Sequence, residues 1–199
     1  CDDNSDGIGV FDLTQSINNI LNGLNPALHT VSFHTSEANA QADSNPIINV
    51  LNFSNSVPNT QVIWVRVEIN ATGCYSIVPL TLTVNALPVL PLSLPSYSLC
   101  ETDPENEQEL FAIRDYVEAQ LPTPGYEFAF YFSEANADAG INALPDTYQN
   151  VSNPQTIWIV VTNETTGCTS KTVLDLRVEP RPILLIPVGG LSQCDANGE

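Results

Sequence analysis

Basic residues are almost missing from this chain, and methionine is missing altogether. Only Arg66, Arg114, Lys171, Arg177 and Arg181 are positive against 23 acidic residues, for a formal charge of −18. Such a surface repels phosphate backbones and anionic membranes, so no nucleic acid is expected as a partner. No apolar run approaches the roughly 20 residues that span a bilayer. The most apolar stretch, Ile183-Leu184-Leu185-Ile186, is bracketed by Pro182 and Pro187 and reads as a short strand, so no membrane insertion is expected. With no initiator methionine, a signal peptide is expected upstream of Cys1.

Reactive groups are equally sparse. His29 and His34 are the only histidines, too few nitrogen ligands for a transition-metal site, and both read as surface or strand-edge residues. There is no G-x-S-x-G turn, no phosphate-cradling glycine loop, and no acidic pair in a distinctive setting. The chain is not expected to be an enzyme.

What is present is a repeat. Val31-Ser32-Phe33-His34-Thr35-Ser36-Glu37-Ala38-Asn39-Ala40 returns as Phe128-Ala129-Phe130-Tyr131-Phe132-Ser133-Glu134-Ala135-Asn136-Ala137. Ile63-Trp64-Val65-Arg66-Val67 returns as Ile157-Trp158-Ile159-Val160-Val161, and Thr72-Gly73-Cys74 as Thr166-Gly167-Cys168. Cys1, Cys100 and Cys194 each open a copy. A period of about 95 residues is the size of one small sandwich domain and too long for a solenoid. The expected organisation is a first unit over 1–90, a second over 91–182, and a linker with the start of a third over 183–199. An array that copies a scaffold without copying a reactive group suggests a stalk or adhesin.

Within each copy the signals run in one order. An acidic loop follows the cysteine. Helix-period stripes come next, at Ile17, Ile20, Leu21 and Leu24, then at Leu110, Ile113, Val117 and Leu121, and both read as core-facing. Strands are predicted at 30–36, 61–69 and 75–84, and again at 127–133, 155–162 and 169–178. In the first long strand Ile63, Val65 and Val67 form a uniformly apolar face, which points inward. Gly73 and Gly167 end the hairpin turns, where positive φ is needed. Trp64 and Trp158 sit mid-strand and read as core or sheet-face anchors. The proline-rich stretches 85–99 and 179–193 read as stiff linkers, part of each serving as the first strand of the next domain. The fold class is all-β with short helical segments, as tandem immunoglobulin-like β-sandwich domains.

Five cysteines outside CxxC pairs indicate disulfides and an oxidising compartment. Two pairings respect the repeat. One is Cys1–Cys74 with Cys100–Cys168, leaving Cys194 for a third unit. The other is Cys74–Cys100 with Cys168–Cys194, leaving Cys1 for an upstream unit. The first is preferred, because small secreted domains usually close their own crosslinks.

Asp2, Asn4 and Asp6 with Gly7 form D-x-N-x-D-G, the opening of many Ca²⁺ loops, in which alternate oxygens converge. Leu13 stands where such loops carry their last glutamate. Oxygen side chains recur at the same offsets as Glu101, Asp103 and Glu105 and as Asp195, Asn197 and Glu199. The alternative reading is a solvated Asp- and Asn-rich turn. No cofactor is required on either reading. Asn52, Asn70, Asn150 and Asn163 begin N-x-S/T sequons, glycan sites in a eukaryotic host and otherwise polar turn residues.

The order of these elements, from Cys1-Asp2-Asp3-Asn4-Ser5-Asp6-Gly7 and Phe11-Asp12-Leu13-Thr14 through Ser36-Glu37-Ala38-Asn39-Ala40 and Ile63-Trp64-Val65-Arg66-Val67 to Thr72-Gly73-Cys74, resembles the giant SprB-like repeat adhesins of gliding Bacteroidetes. The second copy is similar, but departs at Glu101-Thr102-Asp103-Pro104. The resemblance implies an extracellular, cell-surface filament exported by type IX secretion and used in attachment and gliding. Its partners would be an extracellular surface or glycan, with the gliding and secretion machinery engaged through regions outside this chain. The competing expectation is an accessory carbohydrate-binding region of a secreted polysaccharide-degrading enzyme.

Overall fold

The computed structural model describes residues 1–103, 106–122, 124–182 and 184. The residues expected to begin a third unit, with Cys194, therefore lie outside the described residues apart from Leu184, as does Glu105. The chain forms two compact units. One comprises Cys1–Leu90 with Gly125–Glu127 and Val161–Ser170; the other takes Pro91–Pro124, Phe128–Val160 and the described residues from Lys171 onward. The fold is all-β with short helices.

In the first unit the elements are β1 (Val10–Phe11), α1 (Ile17–Leu21), β2 (His29–His34), α2 (Glu37–Gln41), β3 (Phe53–Ser54), β4 (Thr60–Ile69) and β5 (Tyr75–Thr83). The long strands make an antiparallel sheet in the order β2-β4-β5, and β1 pairs with β3 as a small ribbon. Strand β4 was legible because its apolar residues alternate, and Ile63 and Val65 are fully buried with Leu13, Phe33 and Leu82. Phe11 of β1 and Phe53 of β3 pack on that cluster, so the ribbon covers one sheet face and a sandwich results. Gly73 closes the β4–β5 hairpin at φ 73°, the left-handed region the turn demands. Helix α2 is announced by its cap: Ser36 Oγ accepts from the Asn39 amide at 3.2 Å, and Glu37 sits in the first turn.

The second sequence copy repeats this plan with β6 (Tyr97–Cys100), β7 (Leu110–Ala112), α3 (Ile113–Gln120), β8 (Tyr126–Tyr131), α4 (Glu134–Ala139), β9 (Ala143–Leu144), β10 (Thr147–Gln149), β11 (Gln155–Asn163) and β12 (Thr169–Glu179). Its main sheet runs β6-β12-β11-β8-β9, and β7 pairs with β10. Ser133 caps α4 as Ser36 caps α2. Ile157, Ile159, Leu174 and Leu176 are fully buried. Strand β6 lies parallel to β12, with Tyr97 opposite Leu176 and Cys100 opposite Glu179, so the end of the proline-rich stretch does serve as a strand.

Three expectations are corrected. Leu24 and Leu110 are exposed rather than core-facing, because α1 ends at Leu21 and Leu110 lies on the short strand β7. His34 lies on the edge strand β2, one of the two places expected, but is fully buried rather than at the surface: Nδ1 meets the Ser44 carbonyl oxygen at 2.9 Å and Nε2 the Ser32 hydroxyl at 2.9 Å. Asn150 is fully buried as well, and its amide group is consumed by backbone partners.

Removing the centre of the first core tests this packing. Ile63→Ala should cost about 2–5 kcal/mol in urea unfolding, the range for truncating a buried Ile. Val62→Ala on the exposed face of the same strand should change the midpoint little.

Candidate functional site

The opening loop is built on its own backbone. Asp2 is buried, and its carboxylate accepts from the amides of Gly7 at 2.8 Å and Asp6 at 3.2 Å. Asn4 Nδ2 donates to Asp6 Oδ2 at 2.8 Å, and Asp6 Oδ1 accepts from the Ile8 amide at 2.7 Å. Gly7 stands at φ 74°, and a Cβ there would meet the Asn59 backbone nitrogen at 2.7 Å, so glycine is required. Asp2, Asn4 and Asp6 thus do come together, with loop amides facing their oxygens. Among the described residues no three acidic, histidine or cysteine side chains converge as a metal-ligand cluster.

Two buried asparagines anchor these loops, Asn55, which the sequence reading missed, and Asn150, which it read as a polar turn residue. Asn55 Oδ1 accepts from the Gly9 amide at 2.6 Å while its Nδ2 donates to the carbonyls of Gly7 and Val57. Asn150 does the same in the second copy, accepting from the Glu109 amide at 2.7 Å and donating to Glu107 and Ser152. Gln61 and Gln155 hold the following turns by accepting from the amides of Ser56 and Val151. The signal was their recurrence at nearly one spacing, Asn55 before Gln61 and Asn150 before Gln155.

The cysteines depart from both expected pairings. Cys1 is bonded to Cys168, 167 positions away, with Cα atoms 5.6 Å apart. Cys74 and Cys100 are exposed free thiols. The reason lies in what adjoins each sulfur. The Asp2 amide donates to the Asn85 carbonyl at 2.8 Å, and Cys168 Sγ lies 3.7 Å from that same oxygen. Asn85 is therefore the meeting point of the opening loop and the second hairpin turn, and it brings Cys1 to Cys168 instead of to Cys74.

Beyond Asn85 the chain runs along β12. Ser170 Oγ donates to the Pro88 carbonyl at 2.7 Å, Thr172 Oγ1 to the Pro91 carbonyl at 2.8 Å, and the Leu94 amide to the Val173 carbonyl at 2.9 Å. In the first unit the equivalent strand, β5, pairs with β4 alone among the described residues. A cleft of about 290 Å³ opens at its start, lined by Leu24, Val67, Ile69, Cys74, Tyr75 and Val78.

A family model described as the Flavobacterium inter-domain disulphide bond domain matches residues 1–88 and again 96–182. The chain belongs to this family. No curated protein matches it. Membership of the inter-domain disulphide family and the Cys1–Cys168 bond fit a secreted or extracellular flavobacterial protein. Each copy of the family's domain here carries one opening and one turn cysteine, and the bond formed among the described residues joins the first copy's opening cysteine to the second copy's turn cysteine.

The opening loop generates a pH prediction. Burial acts to raise the Asp2 pKa, but hydrogen bonds from the amides of Gly7, Asp6, Ser5 and Asn4 outweigh it and hold the carboxyl below its ordinary 3.8. A depressed folded-state pKa gives stability that is present above about pH 4 and is lost as pH falls through the folded value. Asp12 is shifted in the same direction by Thr14, so a variant is needed to isolate Asp2. Asp2→Asn should melt below wild type at pH 6, and the gap should close as pH falls below 3.8.

Proposed function

We propose that this chain is a structural and adhesive repeat segment of a long cell-surface filament used for attachment and gliding. The observation that carries the reading is a scaffold present twice and cross-linked between its copies, with no metal-ligand cluster among the described residues. A filament under tension needs units that do not unravel, and a covalent bond between residues 167 apart serves that need. The tryptophans support a spacer more than a sugar platform. Trp64 is half-buried in its sheet, and half-buried Trp158 has the Lys171 ammonium 5.5 Å from its ring.

Two measurements test this reading. Antibody fragments raised against the chain should decorate intact cells, and in-frame removal of the repeats should abolish attachment and gliding. Label found only in culture medium, attached to a polysaccharide-degrading enzyme, would replace the adhesive reading with the carbohydrate-binding one. In single-molecule pulling from the two termini, reduction should release roughly 550 Å of contour that the oxidised protein hides behind the Cys1–Cys168 bond.

We infer that the opening loop holds its shape without a required cofactor, since amides occupy the oxygens of Asp2 and Asp6. Millimolar Ca²⁺ should then raise the melting temperature of wild type and Asp6→Ala alike, through screening of a −18 chain. A rise confined to wild type and reversed by chelator would establish a bound ion at Asp2, Asn4 and Asp6 instead.

A further inference from the structure

The segment that covers the first core has two apolar faces, and the core uses one of them. Its sequence runs in triplets, Ile47-Ile48-Asn49, Val50-Leu51-Asn52 and Phe53-Ser54-Asn55. The first member of each, Ile47, Val50 and Phe53, packs on the buried cluster around Leu13, Phe33 and Ile63. The second member is turned to solvent: Ile48 is 91 % exposed and Leu51 59 %. Strand β1 adds to the same outer layer. Phe11 packs inward, so its neighbour Val10, opposite Ser54, is turned outward and is 69 % exposed. Hydrogen bonds fix the layer. The Ile47 amide donates to the Phe33 carbonyl at 2.7 Å, the Leu13 amide to the Val50 carbonyl at 2.8 Å, and Asn49 Nδ2 to the Asn52 carbonyl at 3.1 Å. Ile48 and Leu51 are thus held in water, and burying them would take Ile47 and Val50 off the core.

This layer is also where the charge of the chain stops. From Ser44 to Val65 there is no charged residue, in a chain of charge −18. The second copy has a counterpart. Leu110, the equivalent of Val10, is 63 % exposed opposite Gln149, and Val151, two residues further along the same side of the ribbon, is 60 % exposed. From Thr147 to Asn163 this copy too has no charged residue. Size and chemistry together select the partner. A few aliphatic side chains fall short of the roughly 800 Å² that each partner buries in a stable protein complex. No tryptophan, tyrosine or arginine stands with Val10, Ile48 and Leu51 as an anchor. A cationic partner finds no carboxylate here, and a second chain of charge −18 brings repulsion with it. What such a face can hold is a broad surface that several faces touch at once, because linked weak contacts add through effective concentration.

We propose that Val10, Ile48 and Leu51, with Leu110 and Val151 in the second copy, are the adhesive contact of this chain, and that it takes an uncharged, apolar solid surface. Each contact removes aliphatic area from water on both sides, and the absence of ions means that none is stripped of its hydration. Asn49 and Asn52 keep the segment hydrated without adding charge. The surface named here rests on the adhesive reading, yet the two fail separately. If purified chain showed no preference for an apolar surface while removal of the repeats still abolished attachment of cells, the named surface alone would fall. If the preference held while attachment survived that removal, the adhesive role would fall and the face would stand as a binding surface.

The experiment uses the whole chain and measures adsorption by surface plasmon resonance on methyl-terminated and hydroxyl-terminated monolayers. Wild type should adsorb to the methyl surface in preference to the hydroxyl one. Sodium sulfate should strengthen that adsorption, since it favours apolar burial and screens the charge of the chain. Ile48→Asn with Leu51→Asn keeps the net charge and should weaken adsorption at least about tenfold, the factor for 1.4 kcal/mol. Leu110→Asn with Val151→Asn should weaken it as well, and both pairs together should abolish it. Ile48→Asn alone alters a side chain that lies almost wholly in solvent, so it should weaken adsorption with no change in melting temperature. Val89→Asn with Leu92→Asn, at side chains just as exposed in the proline-rich stretch, should adsorb as wild type does. Equal losses in that control pair would show adsorption through any exposed apolar residue and overturn the proposal. Equal binding to the hydroxyl surface would overturn it in favour of a neutral glycan. A dimer in sedimentation that Ile48→Asn with Leu51→Asn dissolves would make a second copy the occupant instead.

Discussion

A single covalent bond between Cys1 and Cys168 constrains the chain more than any other contact. In the chain-entropy picture a closed loop of 167 residues lowers the entropy of the unfolded ensemble by the equivalent of about 5 kcal/mol. Its local consequence matters as much. It fixes the point at which the stretch from Asn85 leaves the opening loop, and so the register in which Pro88, Pro91 and Leu94 meet Ser170, Thr172 and Val173. A strand without a neighbour of fixed phase can slip, and a slip of one residue would turn its side chains to the wrong face. The sulfur bridge at one end and the Cys100–Glu179 pairing at the other hold that phase.

The parts of this fold legible in sequence are those whose signals are local. Strands β4 and β11 carry alternating apolar residues next to Thr-Gly turns, and they appear within a residue of their expected bounds. The Ser-Glu-Ala-Asn-Ala motif was visible as a repeat, though its meaning was not drawn out: a serine cap and an acid in the first turn specify a short helix in each copy. The loop at Asp2, Asn4 and Asp6 was legible as an oxygen cluster, whereas the amides of Asp6, Gly7 and Ile8 that face it depend on a backbone path that composition does not reveal. Disulfide pairing was the least legible. Both expected pairings respected the repeat, and the habit of small secreted domains to close their own crosslinks favoured partners within a copy, while the actual partner is chosen by a backbone contact at Asn85 that no periodicity encodes.

Scarcity of positive charge gives a further clue to how the copies diverge. In the first, Arg66 is buried, donates to the Ala40 carbonyl at 3.2 Å at the end of α2, and lies 3.9 Å from Asp43. It also stacks 3.4 Å above the Tyr75 ring and pairs with Glu68. In the second copy Val160 occupies that position, and the work passes to Lys171, which bridges Glu134 and Asp138 on α4. Two of only five cations thus fasten the same short helix, from different strands.

That substitution shows what the repeat preserves and what it lets drift. A helix of five or six residues cannot stand alone in water, so it must be tied to the sheet by something outside itself. The serine cap is kept in both copies, accepting from the Asn39 amide in α2 and from the Asn136 amide in α4. The cationic tie is relocated, because Arg66 reaches the Ala40 carbonyl while Lys171 pairs with the Glu134 and Asp138 carboxylates, and a charge attraction of this kind can be supplied from more than one strand position. The buried asparagines and the turn glycines belong to the first kind: Asn55 and Asn150 each hold a fixed set of backbone groups, and Gly73 and Gly167 each supply a positive φ at a fixed place. Charge belongs to the second, so an acidic surface of this size can vary between copies while the scaffold and its crosslink stay fixed.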